Sequence, residues 1–336
     1  MCTPIAIKKS ESLRVPSLAE RYTAAGICCA FFSVWWKFAI VPADQTPGVQ
    51  VPMHSWHTPL ALTVGYIVSL PLLSAFTKKF LSNVDVKVLL KESMILYNIS
   101  QVALNGWMVW SFVDAVANKG HPFIGDIFST ITTYATWVHY CDKYLEFFDT
   151  YFMVLRGRMD QVSFLHVYHH FSIAWAWWAA MTLFPGGDSY FGALLNSWIH
   201  VLMYSYYLFA LLKISCPWKR FLTQAQLLQF TTVVIYSFVC INMWSDEEKL
   251  PKHRLCILIQ VWEMSSLFIL FSFFYMRSYG KMKNKKASSD DQCQKAVKDA
   301  VAGAAQVVEA AAKDASKFAN TMQGGGTKPA KNVRPM

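Results

Sequence analysis

Charge is what this 336-residue chain has least of. Only 15% of its residues are Asp, Glu, Lys or Arg, against about a quarter in a soluble domain. The hydrophobic share is 54% and the mean hydropathy is +0.27. Those values exclude a disordered chain and argue against a cytosolic α/β enzyme. Cysteine is present without useful pattern. Of eight, Cys28, Cys29, Cys141, Cys240 and Cys256 lie in apolar stretches, with no CxxC pair and no zinc spacing. A secreted disulfide scaffold and a zinc module are both disfavoured. There is no internal repeat, and no small-residue cleavage site makes the first apolar block an ordinary signal peptide.

Long apolar runs are what the chain has instead. Blocks at about 59–77, 94–116, 127–155, 164–184, 190–212, 222–243 and 255–276 follow an earlier one at 24–41. Most are long enough to cross a hydrocarbon layer of about 30 Å at 1.5 Å per residue. The expected fold is therefore all-α, a polytopic membrane helix bundle with seven core transmembrane helices. The 24–41 segment is either an eighth span or an interfacial helix. Three regions follow: 1–58, 59–280, and a tail 281–336 that is Ala-rich from Lys295 to Met322, broken at Gly324–Gly326, and basic at its end. Asn98-Ile-Ser100 fits a glycosylation pattern, but it falls inside a span and is expected to be unused.

The net charge of +10 reads as a topology code rather than a nucleic-acid groove. Lys78, Lys79, Lys87, Lys91, Arg156, Arg158, Lys213, Lys219 and Arg220 occupy alternate connectors, and Lys281, Lys283, Lys285 and Lys286 follow the last block. Basic connectors mark the cytoplasmic side, which places the C-terminus there.

Ionisable groups inside spans are costly and mark function by default. Four consecutive spans carry them. Lys143, Glu146 and Thr150 share a face, with His139 one turn earlier and Asp149 beside them. His166, His169 and His170 are spaced i, i+3, i+4, which puts three imidazoles on one helical face. Asn196, His200, Met203, Tyr204 and Tyr207 form the next stripe, and Thr223, Gln226 and Gln229 open the span after it. From their depths, roughly 9 Å for His169 and 18 Å for His200, the imidazoles could face one cavity. Two chemistries compete. Iron bound by histidine boxes suits imidazole, but His54, His57, His121 and His253 lie in or beside connectors on the other face, so the ligand count does not close. Acid–base or nucleophilic work by neutral imidazole needs fewer histidines and fits better.

Lys143-x-x-Glu146-x-x-Asp149-Thr150, His166-x-x-His169-His170, His200-x-x-Met203-Tyr204-x-Tyr206-Tyr207 and Thr223-x-x-Gln226-x-x-Gln229 occur in this order. They resemble the ELO family of membrane fatty acid elongases over about residues 59–280. The stretch from Gln161 to His170 is similar to the subgroup acting on polyunsaturated chains. The resemblance implies a seven-helix bundle with six helices around an acyl tunnel, in the endoplasmic reticulum membrane. The activity it implies is that of a 3-ketoacyl-CoA synthase, an acyltransferase condensing long-chain acyl-CoA with malonyl-CoA and releasing carbon dioxide and CoA. It further implies an acyl-imidazole on His169, with His200, His166, His170, Lys143, Glu146, Asp149, Asn196 and Tyr204 as catalytic candidates. Thr150, Tyr207, Gln226, Gln229, Arg156 and Arg158 are candidates for substrate binding. No metal and no bound cofactor are expected. Expected partners are the two CoA substrates, membrane lipid, and the ketoacyl reductase, dehydratase and enoyl reductase of the elongation cycle. The alternatives are a membrane di-iron desaturase or hydroxylase, and a seven-helix receptor or transporter. The family pattern predicts neither the first apolar block nor the Ala-rich tail, and the terminal dilysine common in retained membrane proteins is missing.

Overall fold

A computed structural model describes residues 13–41, 52–245 and 250–283. The Ala-rich tail and the basic residues Lys8, Lys9, Lys285 and Lys286 lie outside the described residues. Met1–Phe273 forms one compact unit and Phe274–Met336 a second. No strand occurs among the described residues, only an isolated bridge between Arg14 and Val84. The helices are α1 (Leu18–Trp35), α2 (His57–Phe80), α3 (Lys91–Ala117), α4 (Thr130–Leu145), α5 (Phe147–Leu155), α6 (Phe164–Leu183), α7 (Ser189–Leu212), α8 (Leu222–Met243) and α9 (Pro251–Lys283).

Among the described residues, four stretches are long and apolar enough to cross a membrane: Leu18–Ile40, His57–Phe80, Pro217–Met243 and Pro251–Met276. Their outer faces carry large apolar side chains, such as Leu72, Leu228 and Trp262, each about two-thirds exposed or more. In water such faces would be unstable, and in hydrocarbon they are at home. The inward faces of helices α3 to α7 hold the polar residues. Those residues are sheltered, since Asn105, His139, Asp142, Lys143, Glu146 and Thr150 are all buried.

The expected single block at 127–155 is two helices. The Glu146 N–H donates to Asp142 O and the Asp149 N–H to Glu146 O, an i to i−3 step that tightens the backbone where α4 ends and α5 begins. Hydropathy has no term for that change. The segment at 24–41 begins earlier than expected, at Leu18. Ser17 accepts from the Glu20 N–H while Glu20 reaches back to the Ser17 N–H, a reciprocal cap. A π-helical turn, Trp36–Ile40, follows. This segment is anchored to the bundle: Arg21 pairs with Glu92, and the Trp137 indole N–H donates to Ala39 O at 2.9 Å. Asn98 is buried with its amide on Met94 O, so the glycosylation pattern is indeed inside a helix.

At the end of the bundle formed by the start of α7 and the end of α8, Asp188 gathers four contacts. Its carboxylate accepts from the Gly125 N–H at 3.0 Å, the Tyr236 hydroxyl at 3.2 Å and the Trp244 indole at 2.9 Å, while its own N–H donates to Asp126 O at 2.7 Å. The turn before it needs glycine. Gly187 has φ +55°, and a Cβ there would stand 2.5 Å from Asp126 O. Replacing Asp188 by Ala would strand the Trp244 indole and the Gly125 N–H, each costing about 1–3 kcal/mol, while the Tyr236 hydroxyl keeps Phe123 O at 2.8 Å. The variant is expected to lower the thermal midpoint in detergent by several degrees, and an unchanged midpoint would remove this knot from the account of stability.

Candidate active site

The Lys143 ammonium, on the last turn of α4, donates to Glu146 Oε1 at 2.5 Å and to Asn196 Oδ1 on α7 at 2.8 Å. The same Glu146 oxygen lies 3.1 Å from His200 Nδ1, too far off line for a formed hydrogen bond. Glu146 Oε2 has no partner, nor do the Nδ1 atoms of His169, His170 and His200. Groups this buried are normally satisfied, and several of the unpartnered ones gather around this one carboxylate.

Helix α6 starts at Ser163, whose hydroxyl accepts from the His166 N–H at 3.3 Å. That cap fixes the turn from which the three imidazoles project. The His166 and His170 ring centroids are 4.6 Å apart, and those of His169 and His170 are 5.2 Å apart. His166 Nε2 meets Thr150 Oγ1 at 2.9 Å, and Thr150 in turn meets the Tyr66 hydroxyl at 2.7 Å. On the other side, the Tyr204 hydroxyl donates to Asp149 Oδ2 at 2.7 Å and meets the Tyr97 hydroxyl at 3.2 Å.

The expected meeting of helices is thus present. Lys143, Glu146, Asn196 and His200 form one cluster, and His169 and His170 join it through Glu146. Thr150 with His166, and Asp149 with Tyr204, flank it. Gln229 is buried and lines the adjoining cavity, whereas Gln226 is half-buried and Tyr207 is more than a third exposed. Arg156 and Arg158 close α5 outside the cluster. Arg158 is bonded to Asp160 at 3.0 Å, which holds that carboxyl below the usual range. Burial, and then Arg158, hold the Arg156 guanidinium below its ordinary value.

Several residues were not anticipated. Asn105 donates to Asp142 Oδ2 at 3.3 Å and to Gln101 Oε1 at 3.0 Å. Tyr97, Gln101 and Asn105 are spaced i, i+4, i+8 in α3, a polar stripe that was available as a signal. His139, which the sequence places one turn before Lys143, meets the Ser197 hydroxyl at 3.1 Å and stands edge-on against Trp177. Glu263, the one carboxylate inside the apolar run of α9, is buried and accepts from Ser172 at 2.7 Å.

Among the described residues, two donor sets have the compactness of metal sites: Glu146 with His169 and His170, and Asp142 with Glu146 and His200, the donor atoms of each lying within 4.8 Å of one another. Both need Glu146, whose Oε1 is already taken by the Lys143 ammonium. A second cation there would face that charge directly.

A narrow cavity of about 50 Å³ adjoins the cluster, bounded by α6, α7, α8 and α9 and reaching from Asn196 to Ala180 and Cys256. A larger one of about 770 Å³ lies apart, between α1 with its π-helical turn and α3 and α4.

Bilayer-length helices around a buried acid–base cluster define a polytopic membrane protein with a site inside the bundle. The ELO family, described as the GNS1/SUR4 family, matches residues 51–287, and the chain belongs to it. Among curated proteins it is 33% identical over 259 residues to very long chain fatty acid elongase 2 of Rattus norvegicus, covering 74% of this chain and 88% of that one. It is 36% identical over 229 residues to fatty acid elongase 5 of Leishmania major, covering 66% and 85%. It is 38% identical over 207 residues to very long chain fatty acid elongase 5 of Tachysurus fulvidraco, covering 59% and 68%.

Removing one partner of a buried pair leaves an uncompensated charge, at about 3–5 kcal/mol. Lys143→Met is therefore expected to lower both stability and activity. Lys143→Met combined with Glu146→Gln should recover much of the thermal midpoint while leaving activity lost. Recovery of activity in the double variant would show that the pair is only structural.

Proposed function

We propose that the protein is the condensing enzyme of fatty acid elongation, a 3-oxoacyl-CoA synthase that joins acyl-CoA to malonyl-CoA. What supports this reading above all is that Glu146 links the histidines of α6 to His200 of α7, within a family whose matched relatives are named elongases.

The chemistry follows from neutral imidazole. His169 attacks the thioester carbonyl, the C–S bond breaks, and the thiolate leaves as CoA with the proton the imidazole gives up. This splits one difficult condensation into two steps. Malonyl-CoA then loses carbon dioxide, and the electron pair of the broken C–C bond attacks the acyl carbon. The imidazole departs with the electrons of its C–N bond, leaving 3-ketoacyl-CoA two carbons longer. His200, steadied by Glu146, is placed to relay from solvent the proton that the departing imidazole takes up. Lys143 with Asn196, and Tyr204 with Asp149, supply fixed donors for oxygen atoms that gain charge, where an absent donor typically costs about 10²–10³ in rate. His166 with Thr150 and Tyr66 braces the α6 turn, and His170 packs behind it.

The acyl tail would run along the cavity from Asn196 toward Cys256. At about 50 Å³ that cavity holds little more than a water or two, so Trp177 and Gln260 must turn aside as the chain enters. Arg156 and Arg158, with Thr150, Tyr207, Gln226 and Gln229 nearer the bundle, are the groups we assign to the CoA side and the cavity mouth. The long-chain substrate is polyunsaturated in this reading. The protein resides in the endoplasmic reticulum with its C-terminus in the cytoplasm, alongside the reductases and dehydratase that complete the cycle.

Incubation with acyl-CoA alone should add the acyl mass to the purified wild-type protein and not to His169→Ala. Intact mass spectrometry showing no adduct on an active enzyme would falsify the covalent route. Cys256→Trp, at the far end of the cavity, is expected to shorten the products seen by lipid profiling, and an unchanged product length would remove the tail from this cavity.

A further inference from the structure

Helix α9 grips α6 on both sides of His169. The Tyr168 hydroxyl meets Ser266 Oγ at 2.9 Å, and the Ser172 hydroxyl donates to Glu263 Oε1 at 2.7 Å. Two further contacts close the circuit. The Ser266 hydroxyl donates to Glu263 O at 2.9 Å, and Ser172 Oγ also stands 2.8 Å from Tyr168 O. Residue 168 pairs with 266 and 172 with 263, so the two helices run antiparallel here. His169 lies inside this bracket, and Phe271 of the same helix stands edge-on to its imidazole with ring centroids 6.4 Å apart. At 100° per residue, Tyr168 and Ser172 project from the side of α6 opposite His166 and His170. The bond from His166 to Thr150 braces one side of the turn, and α9 holds the other.

We propose that Glu263 is a positioning residue for the reaction: with Ser266 it closes a hydrogen-bonded clamp on the turn of α6 that carries His169, and so fixes the depth and rotation of that imidazole. Glu263 is 3% exposed, and a carboxyl buried within a span is costly wherever it only fills space. Leucine would fill the same space without that cost. The imidazole, for its part, needs outside support. His169 Nδ1 has no hydrogen-bond partner among the described residues, so no bond at that atom steers the ring. Its place follows from the α6 backbone and from Phe271, and α9 supplies a hold on both. A misplacement of about 1 Å at a reacting group costs on the order of 10²-fold in rate, whereas one hydrogen bond between membrane helices adds little to stability. The clamp therefore matters to the rate far more than to the fold.

The inference rests on the acyl-transfer reading, because its effect is read at His169. The test is steady-state condensation of acyl-CoA with malonyl-CoA by the full-length protein in detergent, with thermal midpoints taken on the same preparations. Glu263→Leu, which keeps the bulk and removes the acceptor, is expected to lower kcat by about 10- to 100-fold and to leave KM for both substrates within about twofold. Glu263→Gln keeps an oxygen for the Ser172 hydroxyl and should restore most of kcat. The Leu and Gln variants should differ far more in kcat than in thermal midpoint. Ser172→Ala should also lower kcat, and combining it with Glu263→Leu should add little, since both remove one link. If Glu263→Leu does not fold, Ser172→Ala and Ser266→Ala carry the same expectation. Glu263 also lines the cavity, so a loss confined to the KM for acyl-CoA would make it a contact for the tail and overturn the clamp. An unchanged kcat in the Leu variant, or a Gln variant as slow as the Leu variant, overturns it too, and each of these leaves acyl transfer standing. A wild-type protein that condenses nothing overturns acyl transfer and the clamp with it.

Discussion

Everything at the centre of this protein depends on one ion pair held away from water. Two isolated charges at bilayer depth would be prohibitive, and their mutual attraction repays the cost only when every remaining donor and acceptor is also met. Lys143 meets that condition through Asn196 of α7. Glu146 meets it only in part: one oxygen serves Lys143 and approaches His200, and the other is unpartnered within reach of His169 and His170. The pair ties α4 to α7, and its unfinished half faces α6. The histidines of α6 and α7 thus converge on the one carboxylate that also holds the buried ammonium.

The bundle was largely legible, because hydrocarbon imposes long apolar runs that no other solvent requires. What escaped was what an average over a window removes. The step at Glu146 changes one hydrogen bond from i−4 to i−3 and leaves composition untouched, so two helices read as one block. The site was legible where spacing alone implies a shared face, as at His166, His169 and His170. Spacing places residues on a face but does not say which neighbour that face meets. Tyr207 continues the stripe of His200 and Tyr204 yet comes out toward the surface, and Gln226 sits shallower than Gln229. Asn105 went unnoticed although it continues the stripe of Tyr97 and Gln101, and Asp142 although it adjoins Lys143; their partnership closes the cluster's far side. Glu263 was overlooked as a single polar residue in an apolar run, against the rule that a carboxylate in a span has work to do.

Polar interactions are also unevenly distributed along the bundle. One end is closed by Asp188, whose contacts with Gly125, Tyr236 and Trp244 are complete, with Phe184 and His253 stacked beside Trp244. The middle, around Glu146, is incomplete. A finished knot therefore stands at one end of the bundle, beside a centre whose hydrogen bonds are fewer.

The indole of Trp137 donates to Ala39 O, and Arg21 is paired with Glu92. Both acceptor and guanidinium belong to a segment that precedes residue 51, where the family match begins. The boundary that identifies relatives is therefore not a boundary at which this protein can be cut. A chain trimmed to its recognisable part would carry an orphaned indole N–H at the back of α4, one face away from Lys143, and an uncompensated carboxylate at the mouth of α3. What looks like an appendage by ancestry is, by bonding, part of the wall.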